Sequence, residues 1–228
     1  IVTKDTRIIP LLNGVDAAER IVKFGYRPVQ VYGGIAKIIS RKLAPSVICH
    51  SGAEPHITLG LFNGQHSKEE LAKEQARLQE ISRCLTKAKV STGIAKNIEQ
   101  ALWRKFIFVA AWGALAANTS IPIGVLRKGE SRTKLLAILR EYAQIAGAIG
   151  VDISEAIITQ TIKFIDALPD HSQTSMQQDI AKGLPSEFDS LVAYPYQLAR
   201  KYQLDTPVLD ICYQQFKEKL AVKTANEK

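Results

Sequence analysis

Cysteine is scarce in this 228-residue chain, with only Cys49, Cys84 and Cys212. Residues so few, so widely spaced and odd in number exclude a disulfide framework and fit a reducing compartment, with the cytosol as the default expectation. Histidine is equally sparse, at four. Cys49 and His50 lie near His56, but no C-x-x-C or H-x-x-x-H spacing accompanies them. The group reads as polar residues on a strand pair, and no metal site is expected. Long apolar runs are missing too. The most apolar segment, Phe106 to Ala117, is shorter than the roughly 20 residues of a membrane span and reads as a core helix; no signal peptide opens the chain. A glycine-rich loop is also absent. No G-x-G-x-x-G follows a strand, and the nearest candidates, Gly33-Gly34 and Gly60 with Gly64, lack both spacing and context. These residues therefore carry no pyrophosphate cradle.

What is present suits a globular protein. A hydrophobic content of 46% with 23% charged residues supports a sizeable core, in one large domain or two small ones. A formal net charge of +8 would suit a polyanion. The basic pairs Arg41-Lys42, Arg104-Lys105, Arg127-Lys128 and Arg200-Lys201 are dispersed, however, and Glu69, Glu70, Glu74 and Glu80 sit among other bases. Neither nucleic acid nor a membrane surface is expected as a partner; part of the excess is available to attract phosphorylated small molecules. The chain begins Ile1-Val2-Thr3 without methionine, inside what reads as folded sequence, so an upstream segment is expected to be missing.

Along the chain, Arg7 to Leu12 is a short apolar run ending at Asn13-Gly14, and Asp16 is expected to cap an amphipathic stretch to Lys23, which predicts strand, turn and helix. Val29–Ser40, Ser46–His50 and His56–Leu61 predict mostly antiparallel strands, separated by turn formers at Pro45 and Ser51-Gly52. Ser67 with Glu70 is a capping-box pattern opening a helix to about Thr86, and Lys89 to Ile94 predicts one more strand. After Lys96 every periodic stretch is helical: 98–117, 131–150, 154–168, 186–203 and 206–222. The fold expected is a partial α/β domain over 1–95 followed by an all-α domain over 96–228.

Residues three and four apart on the helix from Ile98 align Ala101, Leu102, Lys105, Val109 and Trp112, which sets Lys105 in an apolar stripe. Burial can lower a lysine pKa towards a value useful for proton transfer. The same position also suits a lysine that buries its stem and extends its head to water, and periodicity does not choose between them. Ser175 with Gln178 forms a capping-box pattern, and Glu187 with Asp189 suits the first turn of a helix capped by Ser186. Each has a structural reading beside a functional one.

Taken together, Leu11-Leu12-Asn13-Gly14-Val15, Leu102-Trp103-Arg104-Lys105, Ser175-Met176-Gln177-Gln178-Asp179 and Ser186-Glu187-Phe188-Asp189 resemble, in order and spacing, the ketopantoate reductase (2-dehydropantoate 2-reductase) family. The resemblance implies an NADP-binding Rossmann domain, of which 1–95 would be a remnant. It also implies a helical substrate and catalytic domain over 96–228, like that of 6-phosphogluconate dehydrogenase. The implied activity is NADPH-dependent reduction of a 2-oxo acid, 2-dehydropantoate to pantoate, in pantothenate biosynthesis. By the same resemblance Lys105 is the general acid, Glu187 orients the lysine and helps bind cofactor, Asn13 lies at the cofactor and substrate interface, and Ser175 contacts substrate. A homodimer is left open. Many members carry asparagines where this chain has Val109 and Gly113, which points to a more apolar pocket and a different 2-oxo acid as the competing substrate. Asn118, Thr119 and Ser120 are expected to compensate from a following loop. With no glycine-rich loop, a catalytically inactive helical interaction module is the alternative of another class.

Overall fold

The structure, a computed structural model, describes residues 2–119 and 121–226, with backbone only for residues 41, 118 and 220–226. Two compact units are present. One comprises the chain up to Leu12 and from Asp16 to Leu102, the other Asn13–Val15 and the chain from Trp103 onwards.

The first unit is α/β. Helix α1 (Ala17–Lys23) is followed by a 3-10 turn at Pro28–Gln30, strands β1 (Gly33–Ala44) and β2 (Val47–Gly60), helix α2 (Lys68–Lys87) and strand β3 (Ser91–Ile94). The sheet order is β1-β2-β3, with β1 and β2 antiparallel and β3 parallel to β2. The strand expected at Arg7–Leu12 shrinks to a single parallel bridge between Ile8 and Val31. Pro10 has no N–H to continue a ladder, and Leu11 and Leu12 are exposed. The break expected at Ser51-Gly52 does not end a strand. Lys37 pairs with His56 and Ile39 with Ser51, so the segment between bulges out of β2, with Gly52 at φ +82°. Helix α2 starts as its sequence predicts: Ser67 Oγ accepts from Glu70 N, and Glu70 Oε2 accepts from Ser67 N. A small core of Tyr32, Leu59 and Leu78 lies between sheet and α2. Gly33 and Gly60 let the backbone close on Ile98; a Cβ at either would come within 2.3 or 2.6 Å of that side chain.

Beside this core sits a charged one. Arg7 Nε donates to Glu74 Oε2 at 2.8 Å while its Nη2 reaches Oε1 at 2.5 Å, and the Tyr32 hydroxyl also donates to Glu74. Arg7's hydrogen bond pulls the Glu74 carboxyl down to about 2, and burial pushes the Tyr32 phenol up to about 12.

The second unit is all-α. It contains most of α3 (Ile98–Thr119), then α4 (Ile123–Leu126), α5 (Gly129–Ala148), α6 (Glu155–Asp166), α7 (Ser175–Ala181), a π-helical segment (Asp189–Ala193), α8 (Tyr194–Lys201) and α9 (Pro207–Asn226). The apolar run of α3 is the core helix expected: Phe106, Ile107, Ala110, Ala111 and Ala114 are buried. Phe106 packs edge-on against both Trp103 and Tyr142. α5 touches α4, α6, α8 and α9 and is the centre of the unit. Two short helices, α4 and α7, lie outside the predicted helices; at 4 and 7 residues they are too short for periodicity to register.

The helix expected over 186–203 begins instead at Phe188 and runs through the π segment before becoming regular. Pro195 explains the irregularity. It cannot donate to the carbonyl four residues earlier, that of Leu191, and the Tyr142 hydroxyl donates to Leu191 O at 3.0 Å in its place. Burial pushes the Tyr142 phenol well above its usual range, which keeps that donor protonated. No helix among the described residues is long and apolar enough to cross a membrane.

Candidate active site

Three of the four residues singled out in the sequence meet at one carboxylate oxygen. Asn13 Nδ2 donates to Glu187 Oε2 at 3.2 Å across 174 positions of sequence. Ser175 Oγ donates to the same oxygen at 3.5 Å. Asn13 is held by the turn at Gly14 (φ +98°), and Val15 packs against the core of the helical unit, which anchors the turn there. All three residues belong to that unit.

Ser175 is available because it does not cap its own helix. The capping residue of α7 is Thr174, whose Oγ1 accepts from Gln177 N at 3.0 Å, so the expected Ser175–Gln178 box is not formed. The offset by one residue has a physical consequence: a hydroxyl at the cap is consumed by backbone, whereas one at the first helical position points outward to a partner. α7 is fixed by the buried Gln177, whose Nε2 donates to Ile121 O at 3.1 Å, and by Met176, which is fully buried. Glu187 likewise lies before its helix rather than in a turn capped by Ser186, immediately ahead of Phe188 and the π segment. Single-turn π segments recur where a helix must present a side chain off the regular spacing.

Lys105 is half-buried on α3. Positions 105, 109 and 113 are four apart and share one face of that helix. At the far end of this face, a Cβ added to Gly113 would stand 3.4 Å from Met176 Cε and 3.9 Å from Leu191 Cδ1. The face carrying Lys105 therefore runs up to the residue beside Ser175 and to the π segment that follows Glu187. Lys105 lies about 12 Å along the helix axis from Gly113, at 1.5 Å per residue. Val109 between them is partly buried and packs against the helical core.

The expected compensating donors are not a loop. Thr119 is the last residue of α3, and its hydroxyl donates to Leu115 O at 2.7 Å; Ser120 and the side chain of Asn118 lie outside the described residues. Among the described residues no group of three metal-ligating side chains forms. Thr174, Tyr142 and Leu191 support the site without having been singled out from sequence, and Met176 and Gln177, quoted only as motif neighbours of Ser175, fix α7. Of these, only the Thr174-x-x-Gln177 spacing is a signal that could have been read.

The family description "Ketopantoate reductase PanE/ApbA C terminal" matches residues 97–220, and "Ketopantoate reductase PanE/ApbA" matches residues 1–64. Among curated proteins, the uncharacterized oxidoreductase YkpB of Bacillus subtilis is 25% identical over 211 residues, covering 92% of this chain and 67% of YkpB. The 2-dehydropantoate 2-reductase of Halobacterium salinarum is 24% identical over 166 residues, 72% of this chain and 52% of that protein. The chain thus spans between half and two thirds of the length of these relatives. Among solved structures, the 2-dehydropantoate 2-reductase of Geobacter metallireducens superposes with a TM-score of 0.83 at 22% identity, over 96% of this chain and 70% of that one. A D-mandelate dehydrogenase in ternary complex with NADH and anilino(oxo)acetate gives 0.80 at 20%, over 96% and 69%. At these identities the likeness is one of fold.

Proposed function

The chain belongs to the ketopantoate reductase family, and from that membership we propose that it is the part of an NADPH-dependent 2-oxo-acid reductase that holds the proton donor and much of the substrate pocket. The observation that carries this is the convergence of Asn13 and Ser175 on Glu187 Oε2, beside the α3 face that bears Lys105.

The donor set, an amide, a hydroxyl and a carboxylate, suits the hydroxyl- and amide-bearing nicotinamide riboside end of a dinucleotide. Nothing in these 228 residues suits its pyrophosphate, since no G-x-G-x-x-G is present. When bound, the reduced nicotinamide supplies a hydride to the carbonyl carbon of the 2-oxo acid. Lys105 delivers the matching proton to the carbonyl oxygen as negative charge develops there, and regains it from solvent. The Glu187 carboxylate orients polar groups at the cofactor and substrate interface, and its own position is held by Asn13. Ser175 contacts the substrate.

The substrate is 2-dehydropantoate or a 2-oxo acid with a more apolar substituent. Val109 and Gly113 favour the second, since a pocket without amides there offers no partner to a substrate hydroxyl. The fold likeness to a D-mandelate dehydrogenase, whose complex contains anilino(oxo)acetate, is in keeping with that reading. Steady-state oxidation of NADPH by the full-length protein, with 2-dehydropantoate and with aryl-substituted 2-oxo acids, measures the choice. Lys105→Ala should lower kcat by about a thousandfold with folding intact; unchanged turnover would remove Lys105 from the chemistry.

A further inference from the structure

The first unit contains a cavity of about 550 Å³, bounded by the end of β2, the start of α2 and the end of β3. Its lining runs only from Leu61 to Lys96 and shares no residue with the site at Glu187. The volume falls within the 300–1,000 Å³ typical of small-molecule sites.

The walls are of two kinds. Buried Leu78 with Phe62 supplies an apolar floor, exposed Leu71 and Ile94 an apolar rim, and Asn63, Gln75, Gln79, His66 and the exposed Lys96 the polar and cationic groups. Both ring nitrogens of His66 are buried, and neither has a hydrogen-bond partner. A buried imidazole N–H left without a partner is unfavourable, and an acceptor brought by a ligand would relieve it. Lys96 joins no acid in an ion pair among the described residues. No carboxylate lines the cavity, and among the neighbouring acids Glu70 lies near enough for its charge to interact with His66. Glu99 accepts from Asn63 N at 2.8 Å and from Asn63 Nδ2 at 3.0 Å, and Glu70 closes the capping box with Ser67. An apolar floor with donors and a cation, in a protein of net charge +8, selects an anion that carries a hydrocarbon body.

We infer that this cavity is a second binding site, for a small monocarboxylate with an apolar substituent, held by Lys96 and His66 and independent of the reductase reading. The carboxylate accepts from Lys96 Nζ and from a His66 ring N–H while the hydrocarbon displaces water from Phe62, Leu71 and Leu78.

Octanoate is the probe, with 1-octanol and octylamine as controls, titrated into the whole protein carrying ¹⁵N-labelled histidine. Octanoate should saturably shift the His66 ring nitrogens and leave those of His50, His56 and His171 in place, while octylamine does nothing. Lys96→Met should weaken octanoate binding by about tenfold or more, the loss of a charge-assisted hydrogen bond. Leu71→Trp, which fills the cavity while leaving Lys96 and His66 in place, should abolish it. Melting temperatures of both variants check that the unit is folded. Equal binding of octanol and octanoate would overturn the anion assignment. Absence of a saturable His66 shift, or octanoate binding unaffected by both variants, would overturn the site and leave a cavity filled by water only.

Discussion

The two units are built on different physics. The helical unit buries a continuous apolar core, in which Ile138, Leu139, Ile145 and Ile107 have no exposed surface. Among the described residues the α/β unit has a much smaller apolar cluster, of Tyr32, Leu59 and Leu78, and one of these is tied to a carboxylate. Arg7, Glu74 and Tyr32 do there what additional leucines do in the other unit. An apolar core stabilises in proportion to buried area and is indifferent to pH. A buried ion pair offsets its own desolvation only when every partner is present, and it answers to protons. The candidate site of Asn13, Ser175, Glu187 and Lys105 stands wholly on the unit with the larger apolar core.

The largest expected effect tests this contrast directly. Glu74→Ala strands the buried Tyr32 phenol and leaves the part-buried Arg7 guanidinium only its backbone acceptors, and should cost about 3 kcal/mol. Hydrogen exchange should accelerate in α2 and β2 and leave α3 and α5 protected; uniform loss of protection would show that the units do not differ in this way. Acid should produce a similar but smaller response. Glu74 has its ordinary value near 4.5 when unfolded and about 2 when folded. Its stabilisation is therefore fully present above pH 4.5 and is lost as pH falls towards 2, to a total of about 3 kcal/mol. Tyr32 acts at the other end: its folded value near 12 lies above its ordinary 10, so its contribution is present below pH 10 and lost as pH rises towards 12. Going from pH 7 to pH 3 should lower the denaturation midpoint of the α/β unit more than that of the helical unit. A smaller effect probes a polar joint inside the helical unit. Buried Glu141 accepts from Val208 N at 2.9 Å and Leu209 N at 2.8 Å, and so caps α9 from a neighbouring helix. Burial pushes its carboxyl upwards. Glu141→Ala should cost about 2 kcal/mol by orphaning two backbone donors, with fraying confined to α9 by hydrogen exchange, and Glu141→Gln should recover part of it.

Legibility in sequence followed the range of the interaction. The Ser67–Glu70 box was read correctly because both partners lie within one turn. The helices α5 and α6 were read because their apolar positions recur at helical spacing over several turns, and α3 because its apolar run is too long for a strand. Strand continuity was misjudged at Ser51-Gly52, since a bulge absorbs a turn-forming pair without ending the ladder. Pro195 was visible in the helix over 186–203, but its effect on the register was not. That effect depends on the Tyr142 hydroxyl arriving from α5 to take the orphaned carbonyl.

The sequence by itself determined the class of each unit, the face of α3 on which Lys105 stands, and the absence of a phosphate-binding glycine loop. These rest on local periodicity and residue type, which need no partner. Only the tertiary structure decided that Ser175 would be free to bond and Thr174 would cap. It also decided that Asn13 would meet Glu187 across 174 positions, and that His66 would be buried in a cavity with Lys96 on its wall. A hydrogen bond between distant residues depends on where two chains cross, and that crossing is set by packing of the whole core rather than by either residue.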